Sequence, residues 1–122
     1  SETVLLVEDE PSVRGVAAEI LRGQGYTVWE AANGHEALRV ANEQLGKQID
    51  LLLTDVVMPL MGGAELVEQL RRIHPGTRVL LTSGYTDDTF KYRGALERDA
   101  EFMRKPFTPA VLTRRVRQVL DQ

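Results

Sequence analysis

Five short apolar runs alternate along this chain with stretches of helical periodicity, and that alternation restricts the possible folds more than any single residue does. Thr3 to Val7, Tyr26 to Ala31, Leu51 to Leu53, Val79 to Leu81 and a short run around Phe102 and Met103 read as strands. The third run is uninterrupted, as in a strand buried on both faces, whereas the second alternates more and has a less buried side. Apolar residues recur at helical spacing at Val13, Val16, Ala17, Ile20 and Leu21, then at Ala37, Leu38, Ala41 and Leu45, then at Leu66, Val67, Leu70 and Ile73. Leu112, Val116, Val119 and Leu120 repeat the pattern after the fifth run. Pro11 suits a first helical position, Gly23 and Gly25 a helix end, and Gly46 the end of the second helix. Asn33 with Glu36 resembles a capping box, His74-Pro75-Gly76 stops the third helix, and Thr108-Pro109 starts the last. From Asp87 to Arg98 the apolar spacing is poor and Gly94 interrupts it, so only a short or irregular helix is expected there. Alternation of strand and helix predicts the α/β class: a parallel sheet with helices on both faces, because crossovers are right-handed.

In such a sheet every strand's C-terminal end lies on one edge, the edge where open α/β sheets bind ligands. Strand one ends in Glu8 and Asp9, strand three in Asp55, strand four in Ser83 and strand five in Lys105. Singly, each has a bland reading. Asp55 could cap a turn, Glu8 or Asp9 could start a helix electrostatically, Ser83 could be a turn residue, Lys105 a solvated lysine and Phe102 plain core. Convergence of four distant segments on one rim favours a site instead. A charge ending an apolar run is costly to bury, so Asp55 is expected to emerge at the solvent boundary. His35 and His74 fall away from that rim and are expected at the surface, and Trp29 in packing.

The length of 122 residues suits one domain spanning 1–122. The absence of cysteine excludes disulfides, thiolate metal sites and cysteine nucleophiles. A net charge of −3 without a basic run argues against nucleic-acid binding by this domain. No apolar run approaches a membrane span and no signal-peptide pattern opens the chain, so a cytoplasmic domain without membrane contact is expected. The opening serine predicts a processed start or an excised piece with flanking domains.

Three carboxylates a few ångströms apart repel one another and call for a cation. Oxygen donors without histidine or cysteine favour a hard ion, Mg²⁺ or Mn²⁺. With an ammonium at Lys105 and a hydroxyl at Ser83, the group can neutralise the oxygens of a phosphoryl group in flight. Asp55 at the centre could then be the nucleophile, forming an acyl phosphate.

Val4-Leu5-Leu6-Val7-Glu8-Asp9-Glu10, Asp55-Val56-Val57-Met58-Pro59 with Gly63, Thr82-Ser83-Gly84 and Lys105-Pro106-Phe107 resemble, in order and spacing, the motifs of response-regulator receiver domains. That resemblance implies the flavodoxin-like (CheY-like) three-layer fold with strand order 2-1-3-4-5. It implies that Asp55 takes a phosphoryl group from a phosphohistidine on a histidine kinase or histidine phosphotransfer domain. Asp9 would bind the metal directly, Glu8 mainly through water, and the Val57 backbone carbonyl would be a further ligand. Ser83 would hydrogen-bond the phosphoryl oxygen and Lys105 would pair with it. Phe102 takes the aromatic switch position, and Lys105-Pro106 the peptide that is commonly cis. Phe102 has no hydroxyl, so its switch would act through burial alone.

The run Ser83-Gly84-Tyr85-Thr86-Asp87-Asp88 and the first strand look like receivers at the C-terminus of hybrid sensor histidine kinases. A standalone single-domain regulator is the alternative. The segment from Asp87 to Ala100 departs from the common receiver pattern on a surface that many receivers use for dimerisation and output, which argues against output by that route; a homodimer stays an open expectation. A haloacid-dehalogenase-like phosphatase would need a second acid where Val57 stands, and a flavin carrier would need a phosphate-cradling loop where Glu8-Asp9-Glu10 stands. Val57 and Tyr85, each two residues past a site residue, should flank the phosphoryl group, and neither orients attacking water. Slow self-dephosphorylation is the expected result.

Overall fold

The computed structural model describes residues 2–44, 46–84 and 101–122. Strands β1 (Thr3–Val7), β2 (Thr27–Ala31), β3 (Leu51–Asp55), β4 (Arg78–Ser83) and β5 (Glu101–Arg104) form one sheet in the order β2-β1-β3-β4-β5. Every neighbouring pair is parallel. This is the flavodoxin-like order expected from the sequence. The described helices are α1 (Pro11–Gly23), α2 (Gly34–Glu43), α3 (Gly63–Ile73) and α4 (Pro109–Leu120). None of them is long and apolar enough to cross a membrane.

The pleat sorts each apolar run onto two faces. Leu5, Val7, Leu52, Val79 and Leu81 join residues of α2 and α3 in one core layer. Val4, Leu6, Leu51, Leu53, Leu80 and Met103 join residues of α1 and α4 in the other. Inner strands are covered twice, which is why their sequences do not alternate. Edge strand β2 has an exposed Thr27 and a half-buried Trp29 packed against the α2–α3 layer.

The caps behave as their residue types require. Asn33 Oδ1 accepts the Glu36 N–H at 2.8 Å, and Thr108 Oγ1 accepts the Val111 N–H at 3.1 Å. The Glu36 carboxylate reaches back to the Ala32 N–H at 3.4 Å, one residue before the reciprocal bond of a true capping box. Helix α2 stops at Glu43, short of Gly46, because the Gln44 N–H turns to the Ala41 carbonyl three residues back and tightens the last turn. Leu45 and the segment 85–100, with the irregular helix expected there, lie outside the described residues.

His74 corrects the sequence reading. It is buried, and its ring Nε2 lies 3.2 Å from the Ala41 carbonyl, joining the end of α3 to α2. Pro75-Gly76 turn the chain inward behind it, and Thr77 donates to the Ile49 carbonyl at 2.7 Å. An imidazole with one polar contact fits that junction, where its flat ring packs and its N–H is satisfied. His35 is exposed, as expected.

Candidate functional site

The C-terminal edge of the sheet is pinned by hydrogen bonds that run one residue past the strands. The Glu8 N–H donates to the Ala31 carbonyl at 3.1 Å, the Val56 N–H to Thr82 at 2.9 Å, and the Lys105 N–H to Ser83 at 2.8 Å. Glu8, Asp55 and Lys105 therefore stand on nearly regular sheet, where side-chain positions are well determined. Carboxylate oxygens of Glu8, Asp9 and Asp55 lie within 4.8 Å of one another. Lys105 Nζ bridges two of them, donating to Glu8 Oε1 at 2.5 Å and to Asp55 Oδ2 at 2.7 Å.

Asp55 departs from expectation. It does not emerge into solvent but is 9% exposed, while Glu8 is 4% exposed and Asp9 is exposed. Burial is tolerable because the Lys105 ammonium compensates the charge and the Val57 N–H approaches Asp55 Oδ1 at 3.4 Å. Burial pushes the Glu8 carboxyl above its ordinary value, against the opposing pull of Lys105 and of the Glu10 N–H at 3.1 Å. Burial pushes the Lys105 ammonium down, but its hydrogen bonds to Asp55 and Glu8 outweigh this and raise it. One ammonium faces three carboxylates, so the pocket carries an excess of negative charge. That excess, on oxygen donors alone, fits a hard divalent cation.

Ser83 is buried at the end of β4, beside Lys105 through the backbone bond. Phe102 is half-buried on β5 against the α2–α3 layer. Val57 is 53% exposed at the rim, and Tyr85 lies outside the described residues. The Lys105-Pro106 peptide is cis. The structure thus brings Glu8, Asp9, Asp55 and Lys105 into direct proximity and sets Ser83 next to them.

The parts played by Arg14, Gly63, Met61 and Leu60 were not visible in the sequence. Arg14, on α1, donates to the Glu8 backbone carbonyl at 2.7 Å and holds the acid-bearing turn. The loop after β3 fits closely on itself. A Cβ on Gly63 would lie 2.5 Å from the Asp55 carbonyl oxygen, and the Gly63 N–H donates to Val56 at 2.8 Å. Met61 is buried in the notch left by Gly34. Leu60, at φ +73°, has left-handed backbone, which costs a residue with a Cβ about 1 kcal/mol. Beside the pocket, an apolar groove is lined by Val13, Val16, Ala17, Pro106 and Phe107.

A five-stranded parallel sheet in this order, with an acid cluster and a bridging lysine at its C-terminal edge, defines a receiver-type signalling domain. Residues 4–117 match the family of the response regulator receiver domain, and the chain belongs to that family. It is a receiver domain of two-component signal transduction, and receiver domains interact with histidine kinases or phosphotransfer proteins. Sensor kinase CckA of Brucella abortus (strain 2308) is 42% identical over 122 residues, which are all of this chain and 13% of that protein. Response regulator receiver protein CpdR of the same organism is 31% identical over 117 residues, covering 96% of this chain and 95% of that one. Among solved structures, the receiver domain from hybrid histidine kinase CckA superposes with a TM-score of 0.81 at 41% identity, covering 97% of this chain and 98% of that one. Chemotaxis protein CheY4 of Vibrio cholerae superposes with a TM-score of 0.84 at 32% identity, with the same coverage. The chain is thus similar to the receiver of a hybrid kinase but spans only a small part of the whole kinase.

Proposed function

We propose that Asp55 is the phosphoacceptor, and that residues 1–122 act as one receiver domain of a phosphorelay. The observation that carries this reading is the position of the Asp55 carboxylate, grouped with Glu8 and Asp9 and 2.7 Å from Lys105. An Asp55 oxygen attacks phosphorus, and the phosphorus–nitrogen bond to the donor imidazole breaks. The electron pair leaves on the imidazole nitrogen, and an acyl phosphate remains on Asp55. Asp9, Asp55 and the Val57 carbonyl would hold Mg²⁺ (or Mn²⁺), with Glu8 acting mainly through water, and the ion would offset charge on the phosphoryl oxygens. Lys105 is placed to turn from the free carboxylate to the new phosphoryl charge, and Ser83 to donate its hydroxyl. Inward movement of Ser83 would vacate space for the Phe102 ring, so that burial carries the switch.

The donor is a phosphohistidine protein, a histidine kinase or phosphotransfer domain. The groove of Val13, Val16, Pro106 and Phe107 gives it an apolar seat beside Asp55. A cytoplasmic setting and a hybrid kinase parent go with that reading, the latter supported by the likeness to CckA along the full chain. A standalone regulator is the second reading, supported by the near-complete coverage of CpdR.

The test is mass spectrometry after incubation with Mg²⁺ and acetyl phosphate. One phosphoryl mass will be gained, as an acid-stable, base-labile adduct, and chelation of the metal beforehand will prevent it. No adduct, or one that survives Asp55→Ala, overturns the reading. A second expectation concerns lifetime. The exposed Val57 offers attacking water no hydrogen bond, so Val57→Asn should hydrolyse its adduct several-fold faster than wild type, about 1 kcal/mol in the barrier. An unchanged hydrolysis rate in Val57→Asn and in Tyr85→Ala would remove Val57 and Tyr85 from any part in the lifetime.

A further inference from the structure

We propose that Leu60 is a docking anchor for the phosphodonor protein, a residue that selects the donor and takes no part in the chemistry. This rests on the reading of Asp55 as phosphoacceptor. Leu60 is the only described non-glycine residue with positive φ, and its side chain is 82% exposed. Both features are unfavourable within the isolated domain, since glycine or asparagine suits that backbone better and a polar side chain suits that exposure better. The fold does not require Leu60. Met58 and Met61 bury the apolar side of the loop, and Gly62 and Gly63 close it against Val56 and Asp55.

Position supplies the reason for an anchor. Among the described residues the exposed large hydrophobic side chains are Val13, Val16, Val57 and Leu60. The first two lie on α1, just after Glu8 and Asp9, and the second two on the loop just after Asp55. Exposed apolar side chains therefore follow closely in the chain on the acids of both β1 and β3. A protein that carries phosphohistidine to Asp55 has to cover the mouth of the acidic pocket, and its surface meets the Leu60 side as well as the α1 groove. Its matching chemistry is an apolar contact beside the phosphohistidine. The acid cluster, and the net charge of −3, disfavour an anionic lipid surface as the occupant.

The experiment compares two donors on the same chain: acetyl phosphate, too small to reach Leu60, and the autophosphorylated kinase region of Brucella abortus CckA. Leu60→Gly and Leu60→Asn should take phosphoryl groups from acetyl phosphate at the wild-type rate, with thermal midpoints no lower than wild type. From the phosphorylated kinase they should be labelled about tenfold more slowly, the effect of losing one buried apolar anchor. Leu60→Met, which keeps an apolar side chain, should retain most of the wild-type rate. Equal slowing with both donors would show that Leu60 shapes the pocket, and would overturn the proposal. So would unchanged transfer from the kinase, or a lowered midpoint in Leu60→Gly. A dimer in solution that Leu60→Gly dissolves would assign the side chain to a second copy and overturn it equally. Failure of the wild type with acetyl phosphate would sink the reading of Asp55 itself, and the anchor with it.

Discussion

Asp55→Asn will gain no phosphoryl mass from acetyl phosphate, and without added metal it will melt above the wild type. Loss of labelling follows from chemistry: a neutral amide oxygen is a poor nucleophile and cannot form an acyl phosphate. The gain in stability follows from the charges around it. The Asp55 carboxylate is repelled by two others within 4.8 Å, at least about 3 kcal/mol each at an effective dielectric of 20, and attracted by Lys105 at 2.7 Å, about 6 kcal/mol on the same scale. These nearly cancel, so desolvation decides, and a side chain 12% exposed is easier to bury as an amide than as a carboxylate. Lys105 keeps its 2.5 Å bond to Glu8 and can still donate to the asparagine oxygen. A gain of about 1 kcal/mol, or roughly 3–6 °C in thermal midpoint, is the expected scale. Added Mg²⁺ should narrow the gap, because the ion stabilises the folded wild type more than a pocket short of one ligand. A midpoint well below wild type would mean that the Lys105–Asp55 pair outweighs the repulsion.

Gly63→Ala should damage stability and metal binding together. Its Cβ would stand 2.5 Å from the Asp55 carbonyl oxygen and 3.0 Å from the Val56 Cα. Both obstacles are backbone, so no side chain can swing aside. Either the loop moves off β3, breaking the 2.8 Å bond from the Gly63 N–H to Val56, or the end of β3 shifts. Overpacking of this kind costs about 1–3 kcal/mol, or roughly 5–15 °C in midpoint. The same shift moves Asp55 and Val57, so Mg²⁺ affinity, followed by titration calorimetry, should fall by about tenfold or more. Gly15→Ala is the control: nothing lies within 4 Å of a Cβ there, and it should leave metal affinity unchanged. A Gly63→Ala chain with both properties intact would show that the loop tolerates displacement without moving the pocket.

The parallel α/β class, the helix cover on both faces and the strand-end residues of the acidic site could be read from the chain before folding, whereas the strand order followed only from the resemblance to receiver domains. Periodicity is a local property, and it reports which face of a strand or helix is dry. Placement of polar groups at strand ends follows from the parallel class alone, since one edge must collect them. Other features depend on what the rest of the fold brings close. Asp55 reads as an exposed charge because its compensating ammonium lies 50 residues away. His74 reads as a surface residue because its partner carbonyl, Ala41, lies on another helix. Arg14 is one polar residue among many on α1 until Glu8 is seen beneath it. Gly63 reads as a loop glycine until the Asp55 carbonyl is found where its Cβ would be.

The sequence by itself determined the class of fold, the strand ends and the residue types that make phosphoryl chemistry available. Only the tertiary structure decided how deeply Asp55 sits, that Lys105 holds both it and Glu8, and that the loop after β3 leaves Leu60 strained and facing outward. The physical reason is that burial, charge compensation and steric fit are pair properties. They take their values from distances between segments, which no local pattern encodes.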